Sequence, residues 1–576
     1  MPRKNYKAGR QDAKKGGNHK KSRFQIWQNC IEKSKSILDG ISKNRISSSI
    51  FFLILLFSSL AVFTALGDRS LGHDEIDTAK FTAHIKSCGY PYNHECDENT
   101  QFNVWDAPNL FPRLTYYLAY ITFYLDGDFE FNQRLPFAIL GIISVVVFYF
   151  FSKELLKDER HALIAMLLYS MSIIFILHAR SSRYYTLIFL FAIISYWMWY
   201  RFIETDKIQP FAVAGLALLF YSHIQIFFYV AAPLGLYGLW KRKILKTIIQ
   251  FAALGVLISP AVYLWMFKWD ITGKSNMLHV FSSIVPLAIN IGITLFYLFI
   301  FILPVFLIFF FPKKSLARDY ILFNIIGITL LISIVTHNAL PELRKYVSAV
   351  FPLAVIFMTM CLLRMNSWIE NISRKAIEKI NASKQGKKNK NISGKGKAYD
   401  KIMASRISKT IAAIIIILIL STNILNVMFL GQLKNIAMQV NSQASLDPGS
   451  KEYFIAKSLE PRFIYAEFAY ELSHHYASGI EQLSKYHQYF AGNKIYSQLS
   501  TDAILVYMPD VIQVKDPEEA DYIVILNPDD AQKYILMNKQ IFATIDIQYS
   551  QWEGAPDIVH HGFAQEFGGK IYIFRN

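Results

Sequence analysis

The run ISSSIFFLILLFSSLAVFTAL, Ile46 to Leu66, followed at once by GDRSLGHDEIDTAK, Gly67 to Lys80, decides how this chain is read. The first stretch is uncharged and long enough to cross the roughly 30 Å hydrocarbon core of a bilayer. The second sets the adjacent carboxylates Asp74 and Glu75 just beyond the hydrocarbon edge. Paired charges there are costly to hold and point to a function. The polar segment they open continues through PYNHECDENTQFNVWDAPNLFPRLTYY, from Pro91, and FEFNQRLP, from Phe129, and closes at Arg134.

Outward from this segment the chain is too apolar for an ordinary soluble enzyme, with 53% hydrophobic and 15% aromatic residues over 576 positions. Its apolar residues come in long uninterrupted runs, which predicts a polytopic α-helical membrane protein. After Ile46 to Leu66 the predicted spans are Phe137 to Phe151, Ala162 to Leu177, Tyr184 to Tyr200, Phe211 to Tyr221, Ile226 to Trp240, Ile248 to Phe267, Ile284 to Phe311, Tyr320 to Val335, Val347 to Leu363 and Ile411 to Phe429. That is about eleven spans, and it puts KELLKDERH, RFIETDK, KRKILK and KKSLARD together on the cytoplasmic side, as the positive-inside rule requires. The run Leu114 to Leu125 is too short to span and reads as an interfacial segment.

The net charge of +17 is concentrated in two places, residues 1–45 and 364–409, each holding thirteen Lys or Arg against three acids. Such tails can bind nucleic acid, but beside membrane spans they report topology, so no nucleic-acid partner is expected. Residues 1–45 read as a basic cytoplasmic tail and not as a cleavable signal, because so long a polar stretch precedes the first apolar run. Residues 46–363 read as the membrane domain with the external loop 67–134, and 364–410 as a flexible basic cytoplasmic linker. Residues 411–430 read as the last span. From 431 to 576 the composition turns acidic, with eleven Lys or Arg against eighteen Asp or Glu. That stretch is predicted to be a non-cytoplasmic soluble α/β domain, with strands at AILVYMP (from Ala503), DYIVILN (from Asp521), FATIDIQYS (from Phe542) and KIYIFRN (from Lys570). The pair Cys88 and Cys96 in the external loop reads equally as a disulfide or as two thiols.

With this topology the conspicuous polar groups at the membrane boundary emerge on one face. They are Asp74, Glu75, Asp106, Arg134, the RSSRYY run with Arg180 and Arg183, His223, the KWD loop with Lys268, and the LRKY run with Arg344 and Lys345. Cations and carboxylates at one membrane edge suit an anionic lipid head group. Arginine forks hold a phosphate, and the same cations stabilise the charge on a departing phosphate. A carboxylate between acceptor and donor can take the acceptor's proton. Each group also has a plainer reading: a helix-start acidic pair for Asp74 and Glu75, snorkelling for Arg180 and Arg183, and a satisfied helix-end residue for His223.

The order of these motifs, a span, then GHDE, WDAPNLFPRLTYYLAY, FNQRLPFAILG, ARSSRYYTL and a late RKYVSAVFPLAV, resembles the membrane glycosyltransferases of the GT-C fold. It is most similar to the superfamily of protein O-mannosyltransferases and the lipid A aminoarabinose transferase. The resemblance covers roughly residues 46–365. It implies sugar transfer with inversion from a polyprenyl-phosphate carrier to a hydroxyl on the non-cytoplasmic face of a plasma, inner or endoplasmic reticulum membrane. By match it makes Asp74 the base or acceptor-positioning carboxylate, supported by Glu75, and sets Arg134 and Arg344 near the site. Arg183 and Lys345 complete the phosphate-binding candidates, with Tyr184, His223 and Tyr346 as further site residues. Asp106 stands near a position some members use for a divalent metal cation. Two departures stand out: the family's proline pair is Ala107-Pro108-Asn109 here, and the W-W-D-Y-G signature of oligosaccharyltransferases is absent. The alternative reading, a transporter or flippase for an anionic lipid-linked substrate, predicts polar or broken segments within spans.

Overall fold

The computed structural model describes residues 45–67, 71, 73–89, 113–125, 127–268, 310–335, 343–384, 402–417, 483–498, 504, 507–508, 510–525, 528–546 and 570–576. Described residues 45–57 belong to a unit of their own. They are the main part of helix α1 (Arg45–Phe63), whose Ile46, Phe52, Leu53, Leu56 and Phe57 are exposed, as on a lipid-facing helix.

In the second unit the helices are α2 (His73–Cys88), α3 (Arg113–Tyr120), α4 (Phe129–Leu156), α5 (Glu159–Ser170), α6 (Ile173–Ala179), α7 (Tyr185–Thr205), α8 (Pro210–Ser222), α9 (Ile224–Trp240), α10 (Ile244–Lys268), α11 (Leu316–Val335), α12 (Leu343–Lys384) and α13 (402–417). Among the described residues five helices are long and apolar enough to cross a membrane, within Ile46–Phe63, Phe129–Leu156, Tyr185–Thr205, Ile244–Val262 and Ser348–Ile380, and α8 and α9 are shorter apolar helices. The chain is a helical membrane protein.

Helix α7 is the centre of the bundle. It packs against α4, α6, α8, α9 and α12, and its apolar residues are buried almost all round. A helix apolar on every side has this position open to it. Polar ties hold it there: the Tyr196 hydroxyl donates to the Ala349 carbonyl at 2.9 Å, and Tyr320 of α11 donates to the Tyr196 carbonyl at 2.8 Å. Hydroxyls facing lipid would have no partner, so such bonds point inward.

Three expectations need correction. The run Ala162 to Leu177 is not one helix: α5 ends at Ser170, Met171 and Ser172 break it, and α6 begins at Ile173. Ser172 is extended at φ −69° and ψ 138°, the conformation serine favours at a helix start. Residues 364–384 are not a flexible linker but the last turns of the continuous helix α12, and 402–410 are helical as well. The basic composition hid a helical stretch rich in Arg, Lys, Glu, Ile and Ala, most of them good helix formers. In the predicted strand from Ala503, the described residues Ile504 and Tyr507 are helical and Met508 is in neither helix nor strand.

The C-terminal residues build a five-stranded sheet from β1 (Lys494–Ser497), β2 (Ile512–Gln513), β3 (Tyr522–Ile525), β4 (Gln540–Asp546) and β5 (Lys570–Arg575), in the order β2-β1-β3-β5-β4. The pairs β1/β2 and β1/β3 are parallel, and β3/β5 and β4/β5 antiparallel. Alternation splits the strands between two cores. Tyr522, Val524, Ile571 and Ile573 face Leu483, Phe490 and Met508, while Ile523, Ile525 and Phe574 face Ala531 of helix α15 (Pro528–Leu536). The short helix α14 (His487–Phe490) leads into β1.

Candidate functional site

Helix α2 begins at His73, so Asp74 and Glu75 lie in its first turn. Acidic residues suit a helix N-terminus, where the backbone N–H groups face them. The Glu75 carboxylate is held from two directions. Arg134 of α4 grips it bidentately, Nε to Oε1 at 3.0 Å and Nη2 to Oε2 at 2.7 Å, and its Nη1 donates to the Leu66 carbonyl at 3.0 Å. The Ser182 backbone N–H donates to the same Oε1 at 2.8 Å, and its hydroxyl reaches it at 3.3 Å. Side-chain exposure of the Arg134–Glu75 pair is 5% and 7%, so this is a buried ion pair. At least three of the five guanidinium N–H donors of Arg134 are committed to protein acceptors, which makes it a fastening between α2, α4 and the end of α1's connection.

A second arginine fastens the same region. Arg180, just after α6, donates to the carbonyls of Ala61, Val62, Thr64 and Ala65. These belong to the end of a helix, where carbonyls lack intrahelical partners. Arg180 thus supplies a C-terminal cap to a chain that turns left-handed at Ala65 (φ 55°) without glycine. Two residues on, Gly67 lies so close to α4 that a Cβ would meet Phe131 Cβ at 2.9 Å and Asp128 Oδ2 at 2.6 Å. Asp128 is also the N-cap of α4, accepting from the Phe131 N–H at 3.0 Å. Gly67→Ala is therefore expected to push the first turn of α4 aside and cost about 1–3 kcal/mol, read as a lowered thermal midpoint of the solubilised protein.

The RSSRYY run turns between α6 and α7. Arg183 is buried, with its guanidinium carbon 5.1 Å from the centre of the Tyr184 ring. Tyr184 is the N-cap residue of α7, and its ring stands 4.6 Å from the His223 imidazole. His223 caps α9, with Nδ1 accepting from the Ile226 N–H at 3.4 Å. His178, buried and stacked on Tyr185 at 3.9 Å, joins this aromatic layer.

Arg344, Lys345 and Tyr346 lie in the first turn of α12. That turn is at the same end of the bundle as Tyr184. Phe351, two turns along α12, meets Phe189, near the start of α7, at 5.9 Å, whereas Phe357 meets Phe311 farther on at 5.7 Å. The opposite end carries the basic connections. There Arg201 pairs with Glu154 at 2.8 Å, Lys157 with Glu204 at 2.9 Å, and Lys243 and Lys246 with Asp206 at 2.8 and 2.6 Å. The two lysines hold the Asp206 carboxyl below the usual carboxylate range by hydrogen bonding to it.

One contributor was not legible beforehand. The hydroxyl of Tyr507, from the C-terminal region, accepts from the Leu71 N–H at 3.0 Å, and its ring packs with Leu71, Ile76, Ala79 and Phe129. Burial, with the Glu130 carboxylate close by, pushes its phenol well above the ordinary tyrosine range. Ser182 could have been picked from the RSSRYY run, but a tie spanning 436 residues leaves no local signal. Of the remaining candidates, Asp106 and Cys96 lie outside the described residues, and Cys88 ends α2. Among the described residues no three His, Cys, Asp or Glu side chains gather as a metal site.

Residues 111–267 match the family model described as dolichyl-phosphate-mannose-protein mannosyltransferase. That segment runs from α3 through almost all of α10 and includes Arg134, Ser182, Arg183, Tyr184 and His223. The resemblance read from the motif order, to GT-C membrane glycosyltransferases, thus rests on a sequence match as well. No curated protein matches the chain in a sequence search. Among solved structures the chain is similar to ArnT from Cupriavidus metallidurans bound to undecaprenyl phosphate, at 14% identity and a TM-score of 0.46, covering 91% of this chain and 97% of that one. It is likewise similar to ArnT from Cupriavidus metallidurans in the apo state, at 14% identity and a TM-score of 0.48, covering 92% and 98%.

Proposed function

We propose that this chain is an integral-membrane inverting glycosyltransferase that moves a sugar from a polyprenyl-phosphate carrier to a hydroxyl acceptor on the non-cytoplasmic face. One observation carries the reading. The first turn of α2, the RSSRYY turn and the first turn of α12, far apart in sequence, lie at one end of the bundle, and the basic connections lie at the other. Its counterpart in sequence is the match of residues 111–267 to a family named for a dolichyl-phosphate-linked sugar.

In this reading Asp74 takes the proton of the acceptor hydroxyl as its oxygen attacks the anomeric carbon. The bond from that carbon to the phosphate oxygen breaks on the opposite side, which inverts the centre. The electron pair leaves with the polyprenyl phosphate, whose charge Arg183, Arg344 and Lys345 stabilise. Glu75 and Arg134 hold the frame, Tyr184, His223 and Tyr346 wall the site, and the C-terminal sheet belongs to a soluble α/β domain on the same side. The basic connections and the N-terminal tail face the cytoplasm in about eleven spans, in keeping with the positive-inside rule.

The break at Met171 and Ser172 favours one rival, a transporter, since interrupted helices line many substrate paths. One assay separates the two. Protein reconstituted in vesicles with a radiolabelled polyprenyl-phosphate sugar, hexose or pentose, is expected to move label onto a hydroxyl-bearing acceptor and release polyprenyl phosphate. Label that changes leaflet while still attached to its carrier would overturn the enzyme reading. Mass spectrometry of glycans and lipids from cells lacking the protein then identifies the acceptor.

A further inference from the structure

The chain that leads to Asp74 is tied at two points, Leu66 and Leu71. Upstream, the Leu66 carbonyl accepts from Arg134 Nη1. Downstream, the Leu71 N–H donates to the Tyr507 hydroxyl at 3.0 Å, and Leu71 itself is fully buried. The Tyr507 ring is held firmly in place, because it packs with Leu71, Ile76 and Ala79 on one side and stands edge-on to Phe129 at 6.1 Å. Phe129 and Glu130 belong to the first turn of α4, whose next turn carries Arg134. A hydroxyl that accepts from Leu71 has its own proton left to donate, and the Glu130 carboxylate lies within reach of it.

We infer that Tyr507 is a positioning residue: through its hydroxyl the C-terminal region sets the entry into α2 against the start of α4 and so fixes where Asp74 stands. The inference rests on the glycosyltransferase reading for its functional half and on geometry alone for its structural half. It also gives the C-terminal region a role, since the residue that completes the frame comes from there. Bonds from Arg134 and Ser182 fix Glu75; the chain just ahead of it takes its tie from Tyr507. A misplacement of about 1 Å at a reacting group costs on the order of a hundredfold in rate.

The test is Tyr507→Phe in the full-length protein, which keeps the ring and removes the hydroxyl. Hydrogen exchange is followed in a peptide spanning residues 67–76, and kcat and KM for the polyprenyl-phosphate sugar are measured alongside. Exchange at the Leu71 amide is expected to rise about tenfold, because its acceptor is gone. The turnover number is expected to fall about 10- to 100-fold with the donor KM within about twofold of wild type. Glu130→Gln, which leaves an acceptor for the hydroxyl, is expected to keep most of the turnover. Unchanged exchange in Tyr507→Phe would overturn the contact. Raised exchange with unchanged turnover, or an equal loss in Tyr507→Phe and Glu130→Gln with a lowered thermal midpoint in both, would overturn the positioning role. If wild-type protein transfers no sugar, the function proposed above fails and the positioning role fails with it, while the exchange measurement still decides the contact.

Discussion

Asp74→Asn is expected to reduce sugar transfer by about 10³-fold or more, while the protein inserts, solubilises and unfolds as wild type does. General-base catalysis by a positioned side chain contributes roughly 10²- to 10⁴-fold, and each tenfold is about 1.4 kcal/mol of barrier. The amide is nearly the same shape as the carboxylate, so a loss of this size in folded protein reports the missing proton acceptor. The neighbouring acid cannot take over. Both Glu75 oxygens are engaged by Arg134, and Oε1 also accepts from the Ser182 N–H and hydroxyl. Swinging Glu75 toward a substrate would strip a buried arginine of its partner. Of the two adjacent carboxylates, Glu75 is tied to Arg134 and Ser182, and the proposed mechanism assigns the chemistry to Asp74. Turnover above a tenth of wild type in Asp74→Asn, measured with the labelled donor in vesicles, would remove this residue from the mechanism.

How much of this could be read beforehand depended on whether the deciding interaction was local. The apolar runs at Phe137, Tyr184 and Phe211 became α4, α7 and α8, because length and hydropathy settle a buried or lipid-facing helix. The strands at Tyr522, Phe542 and Lys570 were likewise legible from their alternation and β-branched content. Failures fell where composition and packing disagree. Lys494–Ser497 is a central strand although KIYS carries little pattern of its own; it is held by β2 and β3 on either side. Ala503–Pro509 looks like a strand, yet Ile504 and Met508 bury themselves in one core, and Tyr507 packs against that core and against Leu71, Ile76 and Ala79 as well. Within the site, motif order suggested that Glu75 and Arg134 both belong to it. That one exists to hold the other, with Ser182 as third partner, is a tertiary fact.

The ion pair itself makes the second large prediction. Arg134→Met is expected to destabilise the protein by about 3–5 kcal/mol, because it leaves the Glu75 carboxylate buried with no opposing charge. Glu75→Leu should do comparable damage by stranding the guanidinium, whose side chain is only 5% exposed. The double variant Glu75→Leu with Arg134→Met tells apart the two ways a buried pair can matter. If it serves mainly to balance charge, apolar replacement of both partners removes two desolvation penalties together, and stability returns to within about 1–2 kcal/mol of wild type. Activity should not return with it. The bonds to the Leu66 carbonyl and from the Ser182 N–H, which set the entry and first turn of α2, are lost in the double variant as well. A thermal midpoint restored without turnover is thus the expected signature of a pair that orients α2. A double variant as active as wild type would show that the carboxylate and guanidinium are dispensable together, and that Asp74 is positioned by something other than this clamp.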